Sequence, residues 1–359
     1  KIFAGETVNP QTKHFACRAL DCLQQLSEYQ NMLSRLPQSM CAYAPPEPLP
    51  ATGLPVVSKP QFGRFINLIR LKDANAEKVL RYCDWLMKSV DSSNATSGHG
   101  DGTDAPAESA QGDGQPPSKR PKRSAEAEEF GEAPAEPLAL EEVAGLVMSV
   151  MLQHGHKTPT HMAKVLDGNE QVLLKLKPSE ADSRTSFEQV LVKSVFEFWK
   201  ASGLRLEITL DSLIQRKVIS PEAVAKYALS HELGHSNHWT VVKQVARKSL
   251  ERSQVARTDL NVAKKLGKED VLDKCQVQLD EAIQADERLF MIIFTSMVCG
   301  YEGTKDATLR CTLLARIMSL ARRHIADIKT LVDTAESQIP HVRNNPDIAA
   351  VFKLVSTLA

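Results

Sequence analysis

The arrangement in this chain whose residue types and spacing could do catalytic chemistry is His231-Glu232-Leu233-Gly234-His235. On a helix, two histidines four apart point the same way. Their imidazoles could hold one zinc ion while the glutamate between them acts as general base toward a metal-bound water. Such a site needs a third ligand. His238 falls on the same face, but seven residues of helix carry it about 10.5 Å along the axis from His231, too far to share the ion. His154, His156, His161, His324, His341 or a carboxylate would have to serve, and none sits in a second recognisable motif. The plainer alternative is a helix end. Ser220 is suited to cap a helix that starts at Pro221, and Gly234 stands where a helix of ordinary length stops, with Ser236 or Asn237 able to cap the next. A turn there takes His235 off the face of His231. The context favours this corner, so no catalytic, cofactor or metal residue is assigned; His231, Glu232 and His235 stand only as the alternative, a zinc peptidase.

The elements around the corner are helical. From Leu138 to Ala359 the apolar spacing predicts helices over 139–153, 159–175, 181–201, 205–216 and 221–233, two long ones between 238 and 302, then 305–336 and 345–358. The run Arg205–Leu210 alternates like a strand but has no partner run, and is read as helix. A succession of amphipathic helices of similar length implies an all-α chain, an α-α superhelix of stacked antiparallel helix pairs resembling HEAT repeats. Residues 238–302 differ. They break at Lys265-Leu266-Gly267-Lys268, and the second half carries Leu272, Cys275, Leu279, Ala282, Leu289 and Ile293 near heptad spacing. This predicts a protruding coiled-coil hairpin whose charged distal half faces solvent or awaits a partner helix.

The first part of the chain has another character. Residues 13–36 read as an amphipathic helix, a proline-rich connector follows, and 61–70 with 74–90 read as a helix pair. From 91 to 137 the composition falls to Ser, Gly, Asp, Ala, Glu and Pro, too little apolar surface to offset ordering, so a disordered loop is expected. Fourteen of the 19 prolines lie at or before Pro137, which marks the boundary. The expected organisation is therefore 1–90 as the end of a preceding helical-repeat domain plus connector, 91–137 as a loop, and 138–359 as a C-terminal helical-repeat domain. Within the loop, Lys119, Arg120, Lys122 and Arg123 form a compact basic cluster with the character of a nuclear-import signal, the alternative being a solvated charge run.

Bulk numbers exclude several classes. Lys plus Arg and Asp plus Glu each number 44, so no net field draws the chain to a polyanion. Seven cysteines, at 17, 22, 41, 83, 275, 299 and 311, make no C-x-x-C pair, which argues for reduced thiols and against a disulfide frame. No run of 18 apolar residues suggests a membrane span. The chain opens on Lys1-Ile2-Phe3 without a signal-like segment and is read as a piece of a longer one.

Segments Phe15–Met40, Leu138–Gly155, Ser186–Trp199, Ala223–Glu232, Arg288–Phe294 and Asn345–Phe352 follow in an order that resembles the C-terminal part of the large subunit of the nuclear cap-binding complex. The resemblance covers about two thirds of the chain and is one of pattern and order, the further alternative being an unrelated helical-repeat interaction scaffold. It implies a helical-repeat domain of the type first seen in the middle of initiation factor 4G, with a long coiled-coil hairpin where 238–290 place one. It further implies a non-enzymatic scaffold with no cofactor, located in the nucleus and shuttling to the cytoplasm. Such a scaffold holds a small RNA-recognition-type subunit that binds the cap, meets capped RNA through that subunit, engages splicing, processing and export factors, and does not involve a membrane. Two departures stand out: the family's first helical domain and most of its second are missing, and its import signal is usually near its own N-terminus. The family does not use positions equivalent to His231 and His235 for metal.

Overall fold

The computed structural model describes residues 60–70, 76–88, 130, 137–200, 202–231, 236–266, 269–323, 345–350 and 353. Among them the regular elements are helices: α1 (Pro60–Arg70), α2 (Ala76–Met87), α3 (Leu140–Gly155), α4 (Pro159–Leu176), α5 (Ala181–Phe198), α6 (Gly203–Gln215), α7 (Pro221–Ser230), α8 (Ser236–Leu266), α9 (Glu269–Gly303) and α10 (Ala307–Arg323). The strand-like run Arg205–Leu210 lies inside α6.

Local chemistry sets the helix ends. The Thr158 hydroxyl accepts from the His161 N–H at 3.0 Å, and Pro159 opens α4. The same device starts α7, where the Ser220 hydroxyl accepts from Ala223 N–H at 3.2 Å ahead of Pro221. Each cap satisfies one of the N–H groups that a first helical turn leaves unpaired. α6 ends at Gln215, and beyond it Lys217 takes a φ of 58°; the Lys217 N–H donates to the Ile214 carbonyl and the Val218 N–H to that of Leu213. This left-handed termination pairs the last carbonyls of the helix.

Faces then decide packing. α4 buries Met162, Val165, Leu166, Asn169, Val172, Leu173 and Leu176, a single stripe at intervals of three and four. α3 is buried on all sides from Val143 to Leu152, so it must be enclosed, and α1, α2, α4 and α5 all pack on it. At its end, a Cβ on Gly155 would lie 2.9 Å from the Met162 Cα, so only glycine admits α4 this closely.

The contacts make two layers. In one, α1 packs on α3, α3 on α5, α5 on α7 and α7 on α9; in the other, α2 packs on α4, α4 on α6 and α6 on α8. Neighbouring helices α3–α4, α5–α6, α7–α8 and α9–α10 join the layers as pairs. Each helix resting on the next but one is the geometry of an α-α superhelix. A continuous core runs from Phe65 in α1 to Ile348 near the C-terminus. Each large aliphatic or aromatic side chain fully buried there contributes about 1.5–3 kcal/mol.

Phe130 belongs to that core although it falls within 91–137. Its ring lies 5.3 Å from Tyr82 and 6.0 Å from Trp85, and Phe65 meets Tyr82 edge-on at 4.7 Å. Loss of hydration in this cluster pushes the Tyr82 phenol and the Cys83 thiol each up to about 12. The chain leaves α2 at Lys88 and is back at Leu138, whose N–H donates to the Leu86 carbonyl at 2.9 Å.

The two longest helices among the described residues, α8 and α9, of 31 and 35 residues, pack on each other as the predicted hairpin, α8 ending at Leu266 and α9 starting at Glu269. Their inner halves pack on α7. Farther out, Leu260, Ala263 and Leu279 are buried only between the two helices and lie apart from the main core. None of the described helices is long and apolar enough to cross a membrane. The expected helix 13–36, the proline connector up to Lys59, the basic cluster, residues 324–336 and half of 345–358 lie outside the described residues.

Candidate functional site

The corner between α7 and α8 corrects one sequence expectation. α7 ends at Ser230, three residues before the predicted end, and His231 has extended backbone at φ −120° and ψ 125°. His231 therefore stands past the helix, and the four-residue helical spacing that a zinc pair requires is not formed on α7. Glu232 and His235 lie outside the described residues, as do His324 and His341. His154, His156 and His161 sit at the α3–α4 turn. Among the described residues no group of three or more His, Cys, Asp or Glu is placed to hold a metal.

What stops α7 early is tertiary. The His231 ring stacks on Tyr227 at 4.3 Å, and its Nδ1 lies 2.8 Å from the Ser230 hydroxyl. From the first turn of α8, His238 reaches back: its Nδ1 lies 2.8 Å from the His231 carbonyl and 3.2 Å from that of Ala228. Carbonyls only accept, so this nitrogen carries the proton. His238 thus closes the C-terminal end of α7, helped by Phe196, whose ring it meets edge-on at 4.9 Å. No local sequence signal marks this cap, because the partner carbonyls lie seven and ten residues away on the preceding segment.

A second, larger site lies one turn of the array away. Among the described residues, an open cleft of about 860 Å³ is bounded by the start of α5, the start of α7 and the middle of α9. Its floor is a polar cluster around the buried Glu188 carboxylate. Glu188 takes the Lys177 ammonium at 2.8 Å on one oxygen and, on the other, the Ser220 N–H at 2.9 Å together with the Ser220 hydroxyl. Lys177 also donates to the Lys217 and Val218 carbonyls at 2.9 and 3.1 Å. One lysine and one glutamate thereby pin the α6–α7 turn beneath the cleft. Arg184 and Thr185 line one wall, Glu287 and Arg288 the other, and Met291 and Ile292 give the α9 side an apolar strip. Arg288 meets Glu222 at 3.6 Å. A charged, open groove with an apolar strip offers contacts to a polypeptide.

The third feature is the root of the hairpin. Asp286 on α9 is buried, and both its oxygens accept hydroxyl hydrogen bonds, one from Ser249 and one from Ser253 on α8. Lys248 beside them pairs with Asp211 of α6 at 2.5 Å. Asp286 thus ties the two helices of the hairpin to each other and Lys248 ties α8 to α6, where the inner halves of both helices join the apolar core.

Comparison with known proteins places this architecture. The family model described as MIF4G like matches residues 122–313, more than half of the chain. The chain belongs to the MIF4G-like family. The matched range takes in α3 to α9 and the start of α10, so the array from α3 onward and the hairpin fall within the MIF4G-like region, while α1 and α2 precede it. Curated relatives agree with one another. Nuclear cap-binding protein subunit 1 of Caenorhabditis briggsae is 23% identical over 151 residues, 40% of this chain and 18% of that protein. The protein of the same name from Arabidopsis thaliana is 22% identical over 174 residues, 47% of this chain and 20% of its own. That of Oryza sativa subsp. japonica is 24% identical over 144 residues, 38% of this chain and 16% of its own. The match thus spans about a fifth of the length of these relatives.

Proposed function

We propose that this chain is part of a large subunit of a nuclear cap-binding complex and acts as a non-enzymatic scaffold. The observation that carries the reading is that three relatives from different organisms bear the same name and align with a chain of MIF4G-like family. In this reading the packed helix faces hold a small RNA-recognition-type subunit. That subunit binds the 7-methylguanosine cap, and the scaffold meets capped RNA only through it. The open cleft between α5, α7 and α9 and the hairpin then serve as contact surfaces for splicing, processing and export factors. Lys119, Arg120, Lys122 and Arg123 supply nuclear import, with shuttling to the cytoplasm as RNA is exported. The balance of 44 basic and 44 acidic residues supports an indirect hold on RNA.

The test is co-purification from native extract followed by a methylguanosine-cap resin. Retention of the chain only in the presence of a small RNA-recognition subunit is the expected result. Absence of such a partner, or equal retention of the chain by itself, sinks the reading. Import is tested separately: replacing the four basic residues by alanine should move a fluorescent fusion from nucleus to cytoplasm.

A further inference from the structure

Every large hydrophobic side chain that stands exposed among the described residues is on the hairpin: Val255, Val262 and Leu266 on α8, Val271 and Val277 on α9. The three on α8 are 59%, 50% and 64% exposed and follow at intervals of seven and four, which puts them on one side of the helix. That side is turned away from the seam, where Leu260 and Ala263 are buried against α9. From Val255 to Leu266 the stripe extends about 16 Å, three turns of helix. An aliphatic stripe with this spacing on a helix already paired along another side is the surface that a third helix takes.

Charge decides among occupants. α8 carries seven basic and two acidic residues, α9 two basic and eight acidic. Beside the stripe, Glu251 pairs with Arg247 at 3.5 Å, while Arg252 and Lys265 border it and Asp259 lies between Val255 and Val262. A second α8 would bring like charges together. A second α9 has the right charge but no matching seam, since Val271 and Val277 are six apart and fall on different sides. RNA would suit the cations but would leave three aliphatic side chains against a polyanion. We infer that the outer side of α8 is a docking site for an amphipathic helix of another protein, aliphatic at intervals of three and four and acidic along its flanks, with one basic residue for Asp259. The inference stands on the hairpin alone, so it and the cap-complex reading can fail independently.

The experiment uses the full chain as bait for a displayed library of random peptides of about 16 residues, long enough for the three turns. Enriched peptides are expected to show the aliphatic spacing with Asp or Glu flanks, and to bind the Val255→Glu/Val262→Glu chain at least about tenfold more weakly. The Arg252→Glu/Lys265→Glu chain, which leaves the stripe intact, should weaken them severalfold and reduce the dependence of binding on salt. Circular dichroism melts confirm that both variants fold. Enriched peptides without the pattern, or with equal affinity for the Val255→Glu/Val262→Glu chain, overturn the proposal. So does sedimentation showing a dimer that these two substitutions abolish, which makes the occupant a second copy, or displacement of the peptides by an oligouridylate, which makes it RNA.

Discussion

The stacked array and the outer half of the hairpin are built from the same kind of helix but hold together differently. In the array, a helix such as α3 is enclosed by four others, and its side chains are buried all round. In the hairpin each helix has one partner, so burial is confined to a narrow seam with Leu260, Ala263 and Leu279, while Val255, Val262 and Leu266 are left in solvent. Between the inner halves, which join the core, and the exposed outer half, Asp286 of α9 is held by two serines of α8. Cohesion thus resides in the array, and the hairpin spends its sequence on surface.

That contrast can be broken or sharpened by experiment. Phe187→Ala, at a fully buried position of α5, should cost about 3–5 kcal/mol in urea unfolding. Leu260→Ala, between only two helices that can close over the gap, should cost less than about 2 kcal/mol; equal losses would remove the distinction. Glu188→Ala leaves the Lys177 ammonium without its carboxylate and Ser220 without its acceptor, and should cost about 3 kcal/mol by the same measurement. Asp286→Ala should cost about 1–3 kcal/mol, because two buried hydroxyls lose their acceptor. Hydrogen exchange should speed up along α8 and α9 and leave α3 to α5 protected; uniform acceleration would mean that hairpin and array unfold as one.

The aromatic cluster predicts a pH response of definite sign. Cys83 and Tyr82 are pushed from ordinary values of 9.0 and 10.0 up to about 12, so folding favours their protonated forms. Below pH 9 neither folded nor unfolded chain ionises them, and their contribution is complete. Between about pH 9 and 12 the unfolded chain loses these protons while the folded one keeps them, so stability should fall as pH rises, by up to about 1.4 kcal/mol per pH unit for each proton. Denaturant midpoints across that range check it, and Cys83→Ala should flatten the decline near pH 9–10. The smallest effect belongs to the hairpin surface: Val262→Ser should change stability by no more than about 0.5 kcal/mol.

Much of this was legible in the sequence where the determinants are local. Intervals of three and four gave the helices, Ser220 and Pro221 the start of α7, and Lys265 to Lys268 the tip of the hairpin, because capping, proline geometry and amphipathic spacing act within one or two turns. The end of α7 was misplaced because Gly234 is a local stop signal, whereas the real stop at Ser230 comes from His238 reaching back from the next helix. The burial of Phe130 was hidden for a similar reason: one aromatic residue in a polar stretch has no periodicity, and its partners lie some 45 residues earlier in α2. The cleft was equally invisible, since it exists only once α5, α7 and α9 are brought side by side.

The hydrogen bond from Leu138 to Leu86 has a consequence for how the chain can vary in length. Because this bond and the contacts of Phe130 with Tyr82 and Trp85 both bring the chain back to α2, the array is indifferent to how much polypeptide lies in the 89–129 connection. Closing a connection twice as long costs only about 0.6 kcal/mol more. This is the place to splice in a fluorescent reporter or an affinity domain, and the place where related chains can gain or lose sequence without disturbing a single helix contact.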